Sequence, residues 1–241
     1  MGFDCFLLFG SHGSYLDFDS SNIPILSSFG LEYKYLAQSW DAPQGCDHDF
    51  HPKATVTPYG IFLSQHDEVF LYLATSKVTS DFMADTSDTW WDSNCERFSH
   101  IQTLLINQDN GPENHSRRTQ FMKRMVEFSN THKLNLRLAY YPPYHSKYNP
   151  IERVWGVLEH HWNGDILDEI DTVVKFAQTM RWMDKHPVVT LVTQTYQTGV
   201  KLTQTAMAQV ETQIQCLTNS KLEGLPNLGK WFVDITYKAG C

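Results

Sequence analysis

Two polar blocks of the sequence contain acidic residues that are suited to holding a divalent metal. The block INQDNGPEN brings an apolar run to its end at Asp109, and the block YYPPYHSKYNPIERVWG places Glu152 at the start of a predicted helix. A carboxylate at the C-terminal end of a buried strand and another on a later helix can meet at one edge of a sheet. Carboxylates are the ligands that Mg²⁺ and Mn²⁺ prefer. The pair therefore predicts metal-assisted phosphoryl chemistry, with both acids as catalytic and metal-binding residues.

Each acid also has an ordinary structural interpretation. An aspartate at the end of a strand often serves as a turn or cap residue, and a glutamate in the first turn of a helix stabilises it by about 0.3 to 1 kcal/mol. A hydrolase that uses Asp109 and Glu152 as a metal-independent acid and base is a further alternative. Glu159 lies seven residues beyond Glu152, where it either extends the acidic surface or points into solvent.

The residues around the two acids are basic, although the whole chain carries a net charge of -8. Residues 115–153 contain eight lysines and arginines but only two acids, Glu127 and Glu152. A local basic patch attracts phosphate, whereas the alternative is a solvated helix face. In the loop before Glu152, prolines add stiffness, and aromatic and polar side chains suit unstacked bases and phosphates. The candidate DNA-binding residues are Arg117, Arg118, Lys123, Arg124, Tyr144, His145, Lys147 and Arg153.

The five cysteines are scattered and show neither a disulfide framework nor a four-cysteine zinc spacing, so a reducing cytoplasmic compartment is expected. The segment CDHDFH over residues 46–51 contains possible zinc ligands but lacks a second ligand pair at a standard spacing. The apolar N-terminus, MGFDCFLLFG, is too short to span a bilayer and has no basic flank. We therefore predict no zinc site, no export signal and no membrane segment.

The elements that must position the two acids follow from periodicity and turn residues. Strands at ATVTPYGIFL and EVFLYLAT are predicted to form a hairpin. Further strands are predicted at residues 103–109 and 134–140, with helices at 80–91 and 116–130 and a helix that Asn149 and Pro150 open. Helices are also predicted at 168–182 and 203–217, and HPVVTLVTQTY between them suits either a strand or a helix. This order predicts an α/β fold in which helices flank a mixed sheet, with a helical C-terminal part.

Three blocks in order, DHDFHPKATVTPYGIF, INQDNGPENHSRRTQF and RLAYYPPYHSKYNPIERVWGVLEHHWNG, resemble the Rhodopirellula-type DDE transposases of bacterial insertion sequences. The similarity runs from about residue 47 to residue 235. It implies an RNase H-like fold, cleavage of DNA by a metal-activated water, and strand transfer by the freed 3′ hydroxyl. The implied cofactor is Mg²⁺ or Mn²⁺, and the implied partners are transposon ends, target DNA and a second copy of the chain.

On that resemblance, Asp109 takes the place of the second acid of a triad and Glu152 that of the third. Family members carry the first acid on the opening strand in an Ile-Asp-x-Lys context, and no such sequence precedes Asp47. Asp4 is the upstream acid with apolar flanks. We therefore expect an unassigned segment at residues 1–45 and an incomplete, N-terminally truncated transposase catalytic domain at 46–241. Such a chain is either an inactive or weak transposase or a DNA-binding module that has lost catalysis.

Overall fold

The computed structural model describes residues 5–11, 23–25, 54–109, 111–141, 149–162, 167, 169–216 and 232–238. Its strands are β1 (Cys5–Ser11), β2 (Ile23–Ile25), β3 (Ala54–Leu63), β4 (Glu68–Ala74), β5 (Thr103–Gln108), β6 (Asn135–Tyr140), β7 (Val188–Val192), β8 (Ile214–Cys216) and β9 (Phe232–Ile235). Its helices are α1 (Ser80–Asn94), α2 (Thr119–His132), α3 (Ile151–Trp162), α4 (Ile170–Thr179) and α5 (Gln204–Glu211). The predicted hairpin is confirmed as β3 and β4.

The strands form a mixed sheet in the order β7-β4-β3-β1-β5-β6-β9-β8, with β2 paired to β3. β1 lies in its middle, antiparallel to β3 and parallel to β5, and β6 continues the parallel run. Three antiparallel strands followed by two parallel ones are the arrangement expected of an RNase H-like fold, so the predicted fold class is confirmed. Asp4 lies outside the described residues, but its neighbour Cys5 pairs with Leu104, at the opposite end of β5 from Asp109.

Helices cover both faces of the sheet and bury two apolar cores. On one face, α1 and α2 pack against side chains of the inner strands, including Leu104 and Ile106 of β5. On the other face, α3 and α4 pack against β3 and β4 through Trp155, Leu158 and other apolar residues. Four tryptophans, Trp90, Trp91, Trp155 and Trp162, are buried in these two cores.

The helix boundaries follow local capping residues. The hydroxyl of Thr79 accepts a hydrogen bond from the backbone N–H of Phe82 and so caps the N-terminus of α1. α4 ends at Thr179 rather than at residue 182. Beyond it, Trp182 and Lys185 exchange two backbone hydrogen bonds across Met183 and Asp184, which both have positive φ angles. That tight turn reverses the chain, so the helix cannot continue. None of the helices in the described ranges has the length and apolar character needed to cross a bilayer.

The C-terminal part differs from the sequence prediction. The helix expected over residues 203–217 is wrong beyond Glu211, because Ile214 belongs to β8 and pairs with Ile235 of β9. β9 in turn pairs antiparallel with β6. Long-range strand pairing therefore overrides the helical spacing of Met207, Val210 and Ile214. Of the two alternatives for residues 186–196, the strand is correct at β7, which lies parallel to β4.

Candidate active site

Asp109 is the first residue after β5, at the C-terminal end of a strand most of whose side chains are buried. Its Oδ1 accepts a hydrogen bond of 2.9 Å from Nδ2 of Asn114. The same Nδ2 lies 3.4 Å from Oε1 of Gln108. Asn114 is 4% exposed and Gln108 is 1% exposed, so these contacts fix the carboxylate from the protein interior. A carboxylate held in this way keeps its position when a ligand binds.

Gly111 allows the chain to fold back over Asp109. A Cβ at position 111 would lie 2.9 Å from Oδ1 of Asn114 and 3.4 Å from Oδ2 of Asp109. The first of these distances is shorter than side chains tolerate without movement. Glycine at this position therefore lets the amide of Asn114 reach the carboxylate.

The segment after Asp109 is attached to the N-terminus of α1. The carboxylate of Glu113 accepts hydrogen bonds from the N–H and the hydroxyl of Ser80. Arg118 donates to the same carboxylate at 3.0 Å. An anion at a helix N-terminus is favoured by the helix dipole, and Arg118 adds a second positive partner. The loop that contains Asn114 is thus held by β5, which precedes it, and by α1, which it contacts through Glu113.

Glu152 lies in the first turn of α3, and two features fix that helix. Oδ1 of the buried Asn149 accepts a hydrogen bond from the N–H of Ile151, and its carbonyl accepts one from Glu152. The predicted capping role of Asn149 is thereby confirmed. In addition, a Cβ at Gly60 of β3 would lie 2.7 Å from Cη2 of Trp155. Glycine at this position therefore allows α3 to approach the sheet closely.

The two acids interact electrostatically. The pKa of Glu152 is raised to about 7, mainly by burial and to a smaller extent by the negative charges of Asp109 and Glu159. Burial likewise raises the pKa of Tyr59 on β3, with a smaller contribution from Asp109. The structure therefore brings together the two acids predicted from sequence, and it adds Tyr59 and Asn114 to their surroundings. The interaction with Glu159 supports its interpretation as part of the same acidic surface.

The chemistry of this site fits a hard divalent cation. Burial and the nearby negative charges disfavour the ionised form of Glu152. A cation beside this carboxylate would favour the ionised form. Oδ1 of Asn114 is buried and has no hydrogen-bond partner in the described part of the chain, so this oxygen is available to coordinate a cation. No group of three or more His, Cys, Asp or Glu side chains suited to a metal occurs among the described residues. The CDHDFH segment lies outside the described residues.

The candidate DNA-binding residues fall into three groups. Arg118, Lys123 and Arg124 form ion pairs with carboxylates of the protein. Arg117 and Arg153 are exposed, and no ion pair involves either of them within the described ranges. The remaining three, Tyr144, His145 and Lys147, lie outside the described residues.

Arg124 joins α2 to α1. Its Nη2 lies 2.6 Å from Oδ1 of Asp85 and 3.8 Å from Oδ2 of Asp88, and its Nη1 lies 3.5 Å from Asp81. Tyr196 also donates a hydrogen bond to Asp85. The sequence signal for this role is the spacing of the three aspartates, which places them along one face of α1. The charge of Arg124 is therefore largely balanced within the protein.

Comparison with known families gives one result that bears on this site. The model of the family described as Rhodopirellula transposase DDE domain matches residues 29–236, which is well over half of the 241 residues. The match includes both acids and the loops that carry them. No curated protein and no solved structure matches the chain.

Proposed function

This chain belongs to the Rhodopirellula transposase DDE domain family, and on that premise we propose that it binds DNA at a divalent-cation site formed by Asp109 and Glu152. The observation that carries the proposal is the electrostatic interaction of these two acids, one at the end of β5 and the other in the first turn of α3. The proposed cation is Mg²⁺ or Mn²⁺, and the proposed substrates are the ends of an insertion sequence and its target DNA.

In this proposal each side chain has a defined task. A bound cation supplies polarisation of a phosphate oxygen and activation of a water. Asp109, which Asn114 holds in place through Oδ1, offers its other oxygen, Oδ2, to the cation. Glu152 carries a proton in a large fraction of molecules near neutral pH, because its pKa is about 7. Glu152 therefore releases that proton when it becomes a ligand.

The proposed DNA contacts centre on the exposed arginines beside the two acids. Arg117 lies in the loop after Asp109, and Arg153 follows Glu152 on α3. Within the described ranges, the one ion pair of Lys123 is with Glu127, on the surface of α2, and such pairs contribute about 0 to 1 kcal/mol. Lys123 is therefore able to exchange that partner for a phosphate. Tyr144, His145 and Lys147 remain contacts that we propose from the sequence.

We further propose that catalysis by this chain is weak. Two-metal phosphoryl transfer places cations about 3.5 to 4 Å apart, and their charges call for several carboxylate ligands. Among the described residues, Asp109 and Glu152 have no third acid that completes a metal-binding group. The same observation favours a second candidate function, a DNA-binding module that has lost catalysis.

Labelled duplex DNA that carries an insertion-sequence end would test these proposals with purified protein and Mn²⁺. We expect binding that weakens steeply between low and moderate salt, because phosphate contacts release counterions, together with little cleavage. Binding that does not depend on salt would overturn the DNA proposal. Efficient cleavage that Asp109→Ala abolishes would overturn the proposal of weak catalysis. Cleavage that is slow but still requires Asp109 would exclude the non-catalytic module.

A further inference from the structure

The middle strand of the sheet passes directly beside Asp109. β1 pairs in parallel with β5 from Cys5 opposite Leu104 to Leu8 opposite Asn107. When this register is continued by two residues, Gly10 stands level with Asp109. On its other side, Gly10 pairs with Gly60 of β3. A residue at position 10 therefore lies between the strand that carries Asp109 and the strand against which α3 packs.

Position 10 also faces the side of the sheet on which Glu152 lies. Residues paired across two strands place their Cβ atoms on the same face, and a Cβ at Gly60 would meet Ile151 and Trp155 of α3. Within β5, Leu104 and Ile106 belong to the core under α1 and α2. Because side chains alternate along a strand, the odd-numbered positions that lead to Asp109 face α3. Gly10, Asp109 and Glu152 thus converge on one region.

We propose that position 10 is the place of a third metal ligand and that glycine leaves this place without a donor. The inference rests on the proposed function, because it concerns the same metal site. A carboxylate on the middle strand would lie next to Asp109 and beneath the start of α3, where a cation held by Asp109 and Glu152 would reach it. The strand, CFLLFGS, contains no acidic residue at all. Among the described residues the site is therefore one carboxylate short, and this deficit limits its affinity for cations.

Gly10→Asp tests the inference directly. Titration with Mn²⁺, followed by electron paramagnetic resonance at pH 8, should show binding about 10 to 100 times tighter than in wild type. Gly10→Asn has nearly the same shape without the charge, and we expect wild-type affinity from it. Gln102→Asp adds the same charge at an exposed residue just before β5, at the end of the strand opposite Asp109, and should also leave the affinity unchanged. Equal affinities for Gly10→Asp and Gly10→Asn would overturn the inference.

Thermal unfolding gives a second readout in case the new side chain destabilises the fold. Mn²⁺ should raise the midpoint of Gly10→Asp by several degrees more than that of Gly10→Asn, because a ligand that binds only the folded state stabilises it. A Gly10→Asp protein that stays unfolded with Mn²⁺ would show that position 10 does not accept a ligand. A different result overturns the proposed function. It fails if the Asp109→Asn variant, with Gly10 retained, binds Mn²⁺ as tightly as wild type does.

Discussion

Asn114 holds the carboxylate of Asp109 through a hydrogen bond of 2.9 Å between its Nδ2 and Oδ1 of the aspartate. Both residues follow β5, and Glu113 between them is fixed to Ser80 at the start of α1. The position of Asp109 therefore depends on a buried amide and on an ion pair in the same loop, as well as on the strand that precedes it.

Asn114→Ala should weaken metal binding more than its effect on folding explains. The substitution removes the hydrogen bond to Asp109, and loss of such an outer contact lowers metal affinity by about 10 to 100 times. The free energy of unfolding should fall by about 1 to 3 kcal/mol. Asn130→Ala is the matched control, because Asn130 also makes partly buried side-chain hydrogen bonds, to Gln213, but lies on α2. Mn²⁺ titration combined with urea unfolding separates the two effects, and equal affinities for both variants would contradict the role of Asn114.

Glu152→Gln should change how stability depends on pH. Burial, with smaller contributions from the charges of Asp109 and Glu159, raises the pKa of Glu152 to about 7, so the folded protein binds this proton more tightly than the unfolded chain does. The free energy of unfolding of wild type should therefore fall as pH rises from about 4 to above 7. Glutamine cannot ionise, so the variant should be more stable than wild type at pH 8, by about 1 to 2 kcal/mol after allowance for partial exposure. Urea unfolding at pH 5 and pH 8 in chelator is the measurement, and a stability difference that does not change with pH would be the contrary result.

Gly60→Ala should displace α3 and with it Glu152. The added methyl would lie 2.7 Å from Cη2 of Trp155, and overpacking of this kind costs about 1 to 3 kcal/mol. Gly156→Ala is the control, because a Cβ there meets nothing within 4 Å. As an exposed residue of α3, it should gain about 0.5 to 1 kcal/mol. Thermal unfolding should therefore give shifts of opposite sign, whereas two shifts of the same sign would contradict the close contact between β3 and α3.

Arginines near the site should contribute to different properties, some to DNA affinity and one to the stability of the fold. Arg117→Ala combined with Arg153→Ala should lower DNA affinity and reduce the salt slope by about 2, one for each phosphate contact. Arg118→Ala should instead lower stability by about 1 to 3 kcal/mol, because Glu113 loses its charged partner. Fluorescence anisotropy over a series of salt concentrations measures the first effect, and urea unfolding measures the second. A salt slope that the double variant leaves unchanged would remove both arginines from the DNA contact.

Local sequence signals predicted the elements that carry the two acids. An apolar run identified β5, alternation identified β6, and the Asn149-Pro150 pair marked the start of α3. Long-range pairing had no such signal. Residues 5–11 show no clear periodicity, so their place between β3 and β5 depends on partners roughly 50 and 100 positions away.

The interactions of the basic residues also depended on tertiary structure. Arg124 is paired with aspartates of α1 some forty positions earlier in the chain, whereas the sequence placed it among the candidate DNA-binding residues. Asp109 and Glu152 were accessible to prediction because each ends or begins an element. The support that Asn114 and Gly111 give to Asp109 requires a folded loop.

The central claim is that Asp109 and Glu152 hold one divalent cation together. Mn²⁺ titration of wild type, Asp109→Asn and Glu152→Gln at pH 8, followed by electron paramagnetic resonance, tests it most directly. Both substitutions preserve shape and remove one charge. We predict that each variant binds Mn²⁺ at least about 10 times more weakly than wild type. Wild-type affinity in both variants would contradict the claim.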